Sequence, residues 1–140
     1  MVAVRLVENP GRSSSSSQTK FIEQIQGRGY FGFLPNEQWT PAVNLFETDA
    51  AYIVCVDLAG VDKTKIKLEV IDNCVSISGK RAVAVPATSD RQTDRVRVHL
   101  MEIDHGSFGR NVELPLDIIA TDISAQYRDG MLWIEIPKKR

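Results

Sequence analysis

Residues Glu102 to Pro115 read E-I-D-H-G-S-F-G-R-N-V-E-L-P, and this stretch decides the fold. Asp104-His105-Gly106-Ser107 is a turn. The residues after it alternate, with Phe108, Arg110, Val112 and Leu114 on one face and Gly109, Asn111 and Glu113 on the other. That is the period of a strand with one buried side. Pro115 ends it, because proline has no amide proton for a continuing ladder. Arg110 is a charge in the middle of an apolar face. Breaking a buried charge pair costs about 3–5 kcal/mol, so Arg110 is expected to face a carboxylate, in this chain or in another subunit.

Period-two alternation recurs on both sides of this stretch. Pro41–Thr48 reads as an edge-like strand carrying Val43 and Leu45, and Ala51–Leu58 places Tyr52, Val54, Val56 and Leu58 on one face. Ile66, Leu68 and Val70 line the next strand, with Lys65, Lys67 and Glu69 toward water. Asp72-Asn73 turns it into a hairpin that Val75 and Ile77 continue. Residues 82–93 form a long irregular loop, after which Arg95–Met101 resumes alternation through Val96, Val98 and Leu100. Leu116–Thr121 is a connection, and Ile123, Ala125 and Tyr127 form a short strand. Asp129-Gly130 signals a hairpin, and the last strand turns Leu132, Ile134 and Ile136 inward and Trp133 and Glu135 outward before Pro137. Short strands with turn signals and almost no helix predict an all-β, immunoglobulin-like antiparallel β-sandwich over residues 39–137.

Residues 1–38 differ in kind. They hold the serine run Ser13–Ser17, a weakly amphipathic turn with Phe21, Ile22 and Ile25, and the glycine-aromatic stretch carrying Tyr30, Phe31, Phe33 and Leu34. Serine-rich sequence buries too little apolar surface to offset its ordering entropy, so a mostly disordered arm is expected. Its aromatics either fold back on the domain or form an adhesive segment on a tether. Lys138-Lys139-Arg140 reads as a short solubilising end.

With 140 residues and a net charge of −1, the chain is one domain plus an arm, with no basic face for nucleic acid. It has no apolar run long enough to span a bilayer and no cleavable leader, so a cytoplasmic protein is expected. Cys55 and Cys74 match neither a zinc nor a thioredoxin spacing and read as reduced thiols. Gly79-Lys80 lacks the second glycine of a phosphate-binding loop. Gly106-Ser107-Phe108-Gly109 misses the nucleophile elbow by one residue. His99 and His105 are the only histidines, and a solvated role suits them better than metal or base. No enzyme, no cofactor and no metal site is expected.

From Pro41 to Pro137 the chain resembles the α-crystallin domain of the small heat-shock proteins, ATP-independent holdase chaperones. The resemblance is carried, in order, by Pro41-Ala42-Val43-Asn44, Glu47-Thr48, Val56-Asp57-Leu58 with Gly60-Val61, and Ile77-Ser78-Gly79-Lys80-Arg81. It continues through Glu102 with Gly106-Ser107-Phe108-Gly109-Arg110, Leu114-Pro115, Ala125 with Asp129-Gly130-Met131-Leu132, and Ile136-Pro137-Lys138. The resemblance implies a dimer formed when a short strand in the 82–98 loop pairs with the partner subunit. Its interface would draw on Arg110, Glu102, Arg95, Val96 and Val98. It implies a docking groove between the strands Lys65–Ile71 and Phe108–Leu114, lined by Ile66, Leu68, Val70, Phe108 and Val112. It further implies that Phe21, Ile22, Ile25, Tyr30, Phe31, Phe33 and Leu34 bind unfolded or partly folded clients.

Three departures accompany it. Ala59 stands for a proline, Ile103 for an arginine, and no docking tail follows Ile134-Glu135-Ile136, which lies in the last strand. A dimer or an arm-held assembly is therefore expected rather than a large cage. An adaptor module of the CS-domain type and a partner subunit in mixed small heat-shock protein oligomers are the alternatives.

Overall fold

A computed structural model describes residues 2–7, 38–86 and 96–140. The arm residues from Phe21 to Leu34 and Arg95 lie outside the described residues. Eight strands are described: β1 (Val4–Val7), β2 (Val43–Glu47), β3 (Ala51–Asp57), β4 (Lys67–Ile71), β5 (Cys74–Arg81), β6 (Gly106–Glu113), β7 (Ser124–Arg128) and β8 (Met131–Pro137). Single turns of 3-10 helix occur at Lys63–Lys65 and Ala120–Asp122. One sheet has the order β1-β4-β5-β6 and the other β2-β3-β8-β7. Every pairing is antiparallel except β1 with β4, which is parallel.

The sandwich follows from the alternation. Val54, Val56, Leu58, Leu132, Ile134 and Ile136 face inward from one sheet, and Leu68, Val70, Val75, Ile77, Phe108 and Val112 meet them from the other. Each such side chain contributes roughly 1.5–3 kcal/mol when fully buried. The hairpins fall where the sequence places them. Ile71 pairs with Cys74 across Asp72-Asn73, Asp72 takes a positive φ of 54°, and Asn73 does not join it there. Asp129 and Gly130 both take positive φ, 52° and 77°, the backbone of the tight two-residue turn that matches strand twist. Asn73 also donates its side-chain amide to the Leu114 carbonyl, and the Leu114 amide returns a bond to the Asn73 carbonyl at 2.9 Å. Those two bonds pin the hairpin to the end of β6.

Two expectations need correction. The alternation at Arg95–Met101 forms no strand within this chain over residues 96–101, and Val96, Val98 and Leu100 are exposed there. A strand needs a neighbour's backbone, and no described edge of the same chain supplies one. The second correction is at the N-terminus. Val4–Val7, within a region expected to be disordered, is a strand on the β4 edge, and Val2 is buried.

Candidate functional site

The β6 strand and the start of the domain are tied by one cluster. Trp39 forms a parallel bridge with Phe108: its amide donates to Ser107 at 3.0 Å, and its carbonyl accepts from Gly109 at 3.2 Å. The indole N–H donates to the Gly106 carbonyl at 3.1 Å, and the Trp39 and Phe108 rings pack at 5.1 Å. Arg81 lies with its guanidinium carbon 4.1 Å from the Trp39 ring centroid and donates from Nη1 to the Asp104 carbonyl at 2.9 Å. Its Nε is buried with no hydrogen-bond partner among the described residues. The cation-π contact offsets part of that cost. Sequence reasoning missed this cluster. Its only signal was Trp39 standing where period-two alternation begins.

The region expected to meet a partner is exposed and apolar. Val96, Val98, Leu100 and Ile103 keep 50%, 55%, 80% and 70% of their surface, and Leu45 and Phe46 on the edge strand β2 keep 47% each. The two ends of the loop approach around a cavity of about 120 Å³ lined by Arg81, Ala82, Leu100 and His105 among others. Arg110 lies half-buried opposite Ile77, and Glu102 is exposed. Among the described residues neither forms an ion pair, so the carboxylate expected to face Arg110 is not found there.

The groove residues require a geometric correction. β5 pairs with both β4 and β6, so the strands named as the two walls belong to one sheet and do not flank a groove. Ile66, Leu68, Val70, Phe108 and Val112 are all buried core residues. The strand that stands across from the β4 edge is β7, in the other sheet. Both edges are bridged by the N-terminal segment: the Val2 amide donates to the Ala125 carbonyl on β7 at 3.0 Å, and Val4–Val7 then pairs with Leu68–Ile71 on β4.

Burial fades along that segment, from Val2 at 5% to Val4, which is half-buried, to Leu6 at 49%. Arg5 and Glu69 lie 3.7 Å apart on the wet side, and Arg5 is mostly exposed, so this pair adds little. One buried valine gives about 1.5–3 kcal/mol and each edge hydrogen bond about 0.5–1.5 kcal/mol net. Ordering the backbone costs about 1–2 kcal/mol per residue. Gain and cost are comparable, so β1 is weakly held. An open cavity of about 350 Å³ beside it is lined by Ala3, Val4, Thr64, Lys65, Ile66 and Leu68 among others.

No group of residues that could hold a metal ion occurs among the described residues, where His99 is exposed and His105 half-buried. Both cysteines are free. Burial pushes the Cys55 thiol up, helped by Asp57, and burial with Glu113 does the same for Cys74, so both stay protonated at neutral pH. Among the described residues no helix is long and apolar enough to cross a membrane.

Small heat shock protein C4 of Rickettsia felis is 30% identical over 119 residues, which cover 85% of this chain and 69% of that protein. Spore protein SP21 of Stigmatella aurantiaca is 32% identical, over 72% of this chain and 56% of its own length. In three dimensions the chain is similar to hspA from Xanthomonas axonopodis, with a TM-score of 0.60 and 34% identity, covering 72% of this chain and 95% of that one. Residues 44–140 match the sequence model described as the Hsp20/alpha crystallin family. With its two-sheet sandwich and its heat-shock relatives, this chain belongs to the Hsp20/alpha crystallin family of small heat-shock proteins, and it is not an enzyme.

Proposed function

We propose that the protein is an ATP-independent holdase chaperone that covers apolar surface on unfolding proteins and so prevents their aggregation. The observation that carries this reading is apolar surface left open on a well-packed sandwich of the small heat-shock family: Val96, Val98, Leu100 and Ile103 in the loop, and Leu45 and Phe46 on β2. Exposed apolar side chains of this kind suit an interaction surface, and the outer edge of β2, unpaired among the described residues, invites another chain. The working unit is a dimer in which the loop segment ending at Val98 adds to β2 of a second copy. Arg110 and Glu102 serve that interface together with Arg95. Clients bind through Phe21, Ile22, Ile25, Tyr30, Phe31, Phe33 and Leu34. A loosely specified apolar contact accepts many clients because it demands no single shape.

The test heats a thermolabile enzyme without nucleotide and follows light scattering over several molar ratios. Wild-type protein is expected to suppress aggregation near stoichiometry. A variant with the seven apolar arm residues changed to serine, keeping β1 and the chain length, is expected to lose most of that protection while remaining folded. Full protection by that variant would remove the arm from client binding, and absence of protection by the wild type would overturn the holdase reading. A partner subunit of mixed oligomers would protect only once a second small heat-shock protein is added.

A further inference from the structure

Arg81 stands where three parts of the chain meet. It is the last residue of β5, and its rung with Gly106 closes the β5–β6 ladder, so the loop from Ala82 to His105 leaves and returns there. Trp39 lies on the other side of the β6 start and grips it through Ser107, Gly109 and the Gly106 carbonyl. The Arg81 guanidinium reaches across to lie over the Trp39 ring, and its Nη1 donates to the Asp104 carbonyl on the returning limb of the loop. We propose that Arg81 is a positioning residue for dimerisation. Clamped on Trp39, it holds residues 96–105 out from their own sandwich, so that the loop is presented to β2 of a second copy. This rests on the reading that the loop joins two copies, and it adds the residue that aims the loop.

The returning limb is apolar and yet stands clear of the domain. Val96, Val98, Leu100 and Ile103 are exposed, although covering them on the chain's own surface would be favourable. Among the described residues, the bond from Arg81 is the hydrogen bond that ties residues 96–105 to the sandwich. The two limbs do not pair with each other there, and a cavity of about 120 Å³ lies between Ala82–Ala84 and Leu100–Met101. The direction of the limb is therefore set at its foot. Gly106 bends the chain there with a φ of 84°, and a side chain at that position would meet nothing within 4 Å, so the glycine serves the bend and not the packing. Such a bend is permissive, and the contact of Arg81 with Asp104 fixes its angle. Stability of the sandwich alone does not call for this arginine. Its Nε is buried without a partner among the described residues, a cost that an apolar side chain of similar length avoids.

The test measures the dimer dissociation constant of the full chain by sedimentation velocity over a dilution series, for wild type, Arg81→Met and Arg81→Lys. If the limb without its clamp points outward about a third of the time, and both copies must present it, the dissociation constant rises about tenfold. That rise is expected for Arg81→Met. Arg81→Lys keeps a cation for the Trp39 ring and a donor for Asp104, and is expected to fall between the two. A purely structural role is separated in the Val96→Asp with Val98→Asp background, where no dimer remains to be weakened. Adding Arg81→Met there should move Tm by less than about 3 °C. In Trp133→Phe protein, whose remaining tryptophan is Trp39, emission should shift on dilution through the dimer transition, because a clamp that favours the dimer is favoured by it. An unchanged dissociation constant in Arg81→Met, an emission that ignores dilution, or a larger Tm loss in the doubly substituted background would overturn the proposal. If methionine unfolds the chain, Arg81→Lys and Trp39→Phe, which loses the N–H bond to Gly106, decide instead, and an unweakened dimer in both overturns the clamp. If wild type stays monomeric, or the valine changes leave its mass unchanged, the dimer reading and this inference fall together. If the valine changes dissociate it and loss of the Arg81 cation does not weaken it, this inference alone falls.

Discussion

Gly79 shows how a single position is set by packing. It lies on β5 opposite Phe108, and a Cβ built there would come within 2.7 Å of the Phe108 ring and 2.7 Å of the Lys65 carbonyl oxygen. Phe108 is among the largest fully buried side chains and cannot retreat. Gly79→Ala is therefore expected to destabilise by about 1–3 kcal/mol, as overpacking does. Thermal unfolding checks it, and an unchanged Tm would show that the core yields. A second residue-scale expectation concerns the sheet end where Lys138 pairs with Glu47 and lies over the Tyr52 ring, and the Tyr52 hydroxyl donates to Asp117. Burial, reinforced by Asp117 and Glu47, pushes the Tyr52 phenol up, and the hydrogen bond to Glu47 holds Lys138 up. For both groups the folded state binds the proton more tightly than the unfolded chain. Their stabilisation is present below the ordinary values, near pH 10, and is lost as pH rises through the raised ones. Tm should fall from about pH 10 upward. In Lys138→Met combined with Tyr52→Phe this alkaline fall should be shallower, and an unchanged slope would show that other groups carry it.

At the level of elements, the loop at Val96–Ile103 and the strand β1 behave oppositely. The loop alternates like a strand and finds no strand neighbour among the described residues of its own chain, while β1 lies in a region expected to be disordered and does find one. The difference is the availability of an edge, since backbone amides and carbonyls need partners that alternation cannot provide. If the loop pairs with β2 of a second copy, Val96→Asp with Val98→Asp should reduce the mass in solution toward the monomer without lowering helix-free β content. Both side chains are half-exposed here, so the sandwich itself should tolerate the change. Multi-angle light scattering with circular dichroism reads both quantities, and an unchanged mass would exclude these valines from the interface. The candidate site was legible to the same extent. Arg110 was readable as a charge in an apolar face, and Val96 and Val98 entered as interface residues only through the family resemblance, whereas the opening between β4 and β7 depends on sheet order and was assigned to the wrong second wall.

For the whole molecule, the sequence by itself determined the two-sheet core. Ile66 to Val70 alternates strictly, Leu132 to Ile136 buries every second residue, and Tyr52 to Leu58 does the same with Cys55 buried as well; a one-residue slip would take these buried sets out of the core. It also determined the hairpins at Asp72-Asn73 and Asp129-Gly130, where Asp72, Asp129 and Gly130 take the positive φ that tight turns demand. Only the tertiary structure decided that β5 separates β4 from β6, that Trp39 closes on β6 under Arg81, and that Val2 reaches Ala125. Alternation states which face of a strand is buried, while the choice of neighbour depends on which edges meet once the sheets are packed. That choice involves residues far apart in the chain, and no local pattern encodes it.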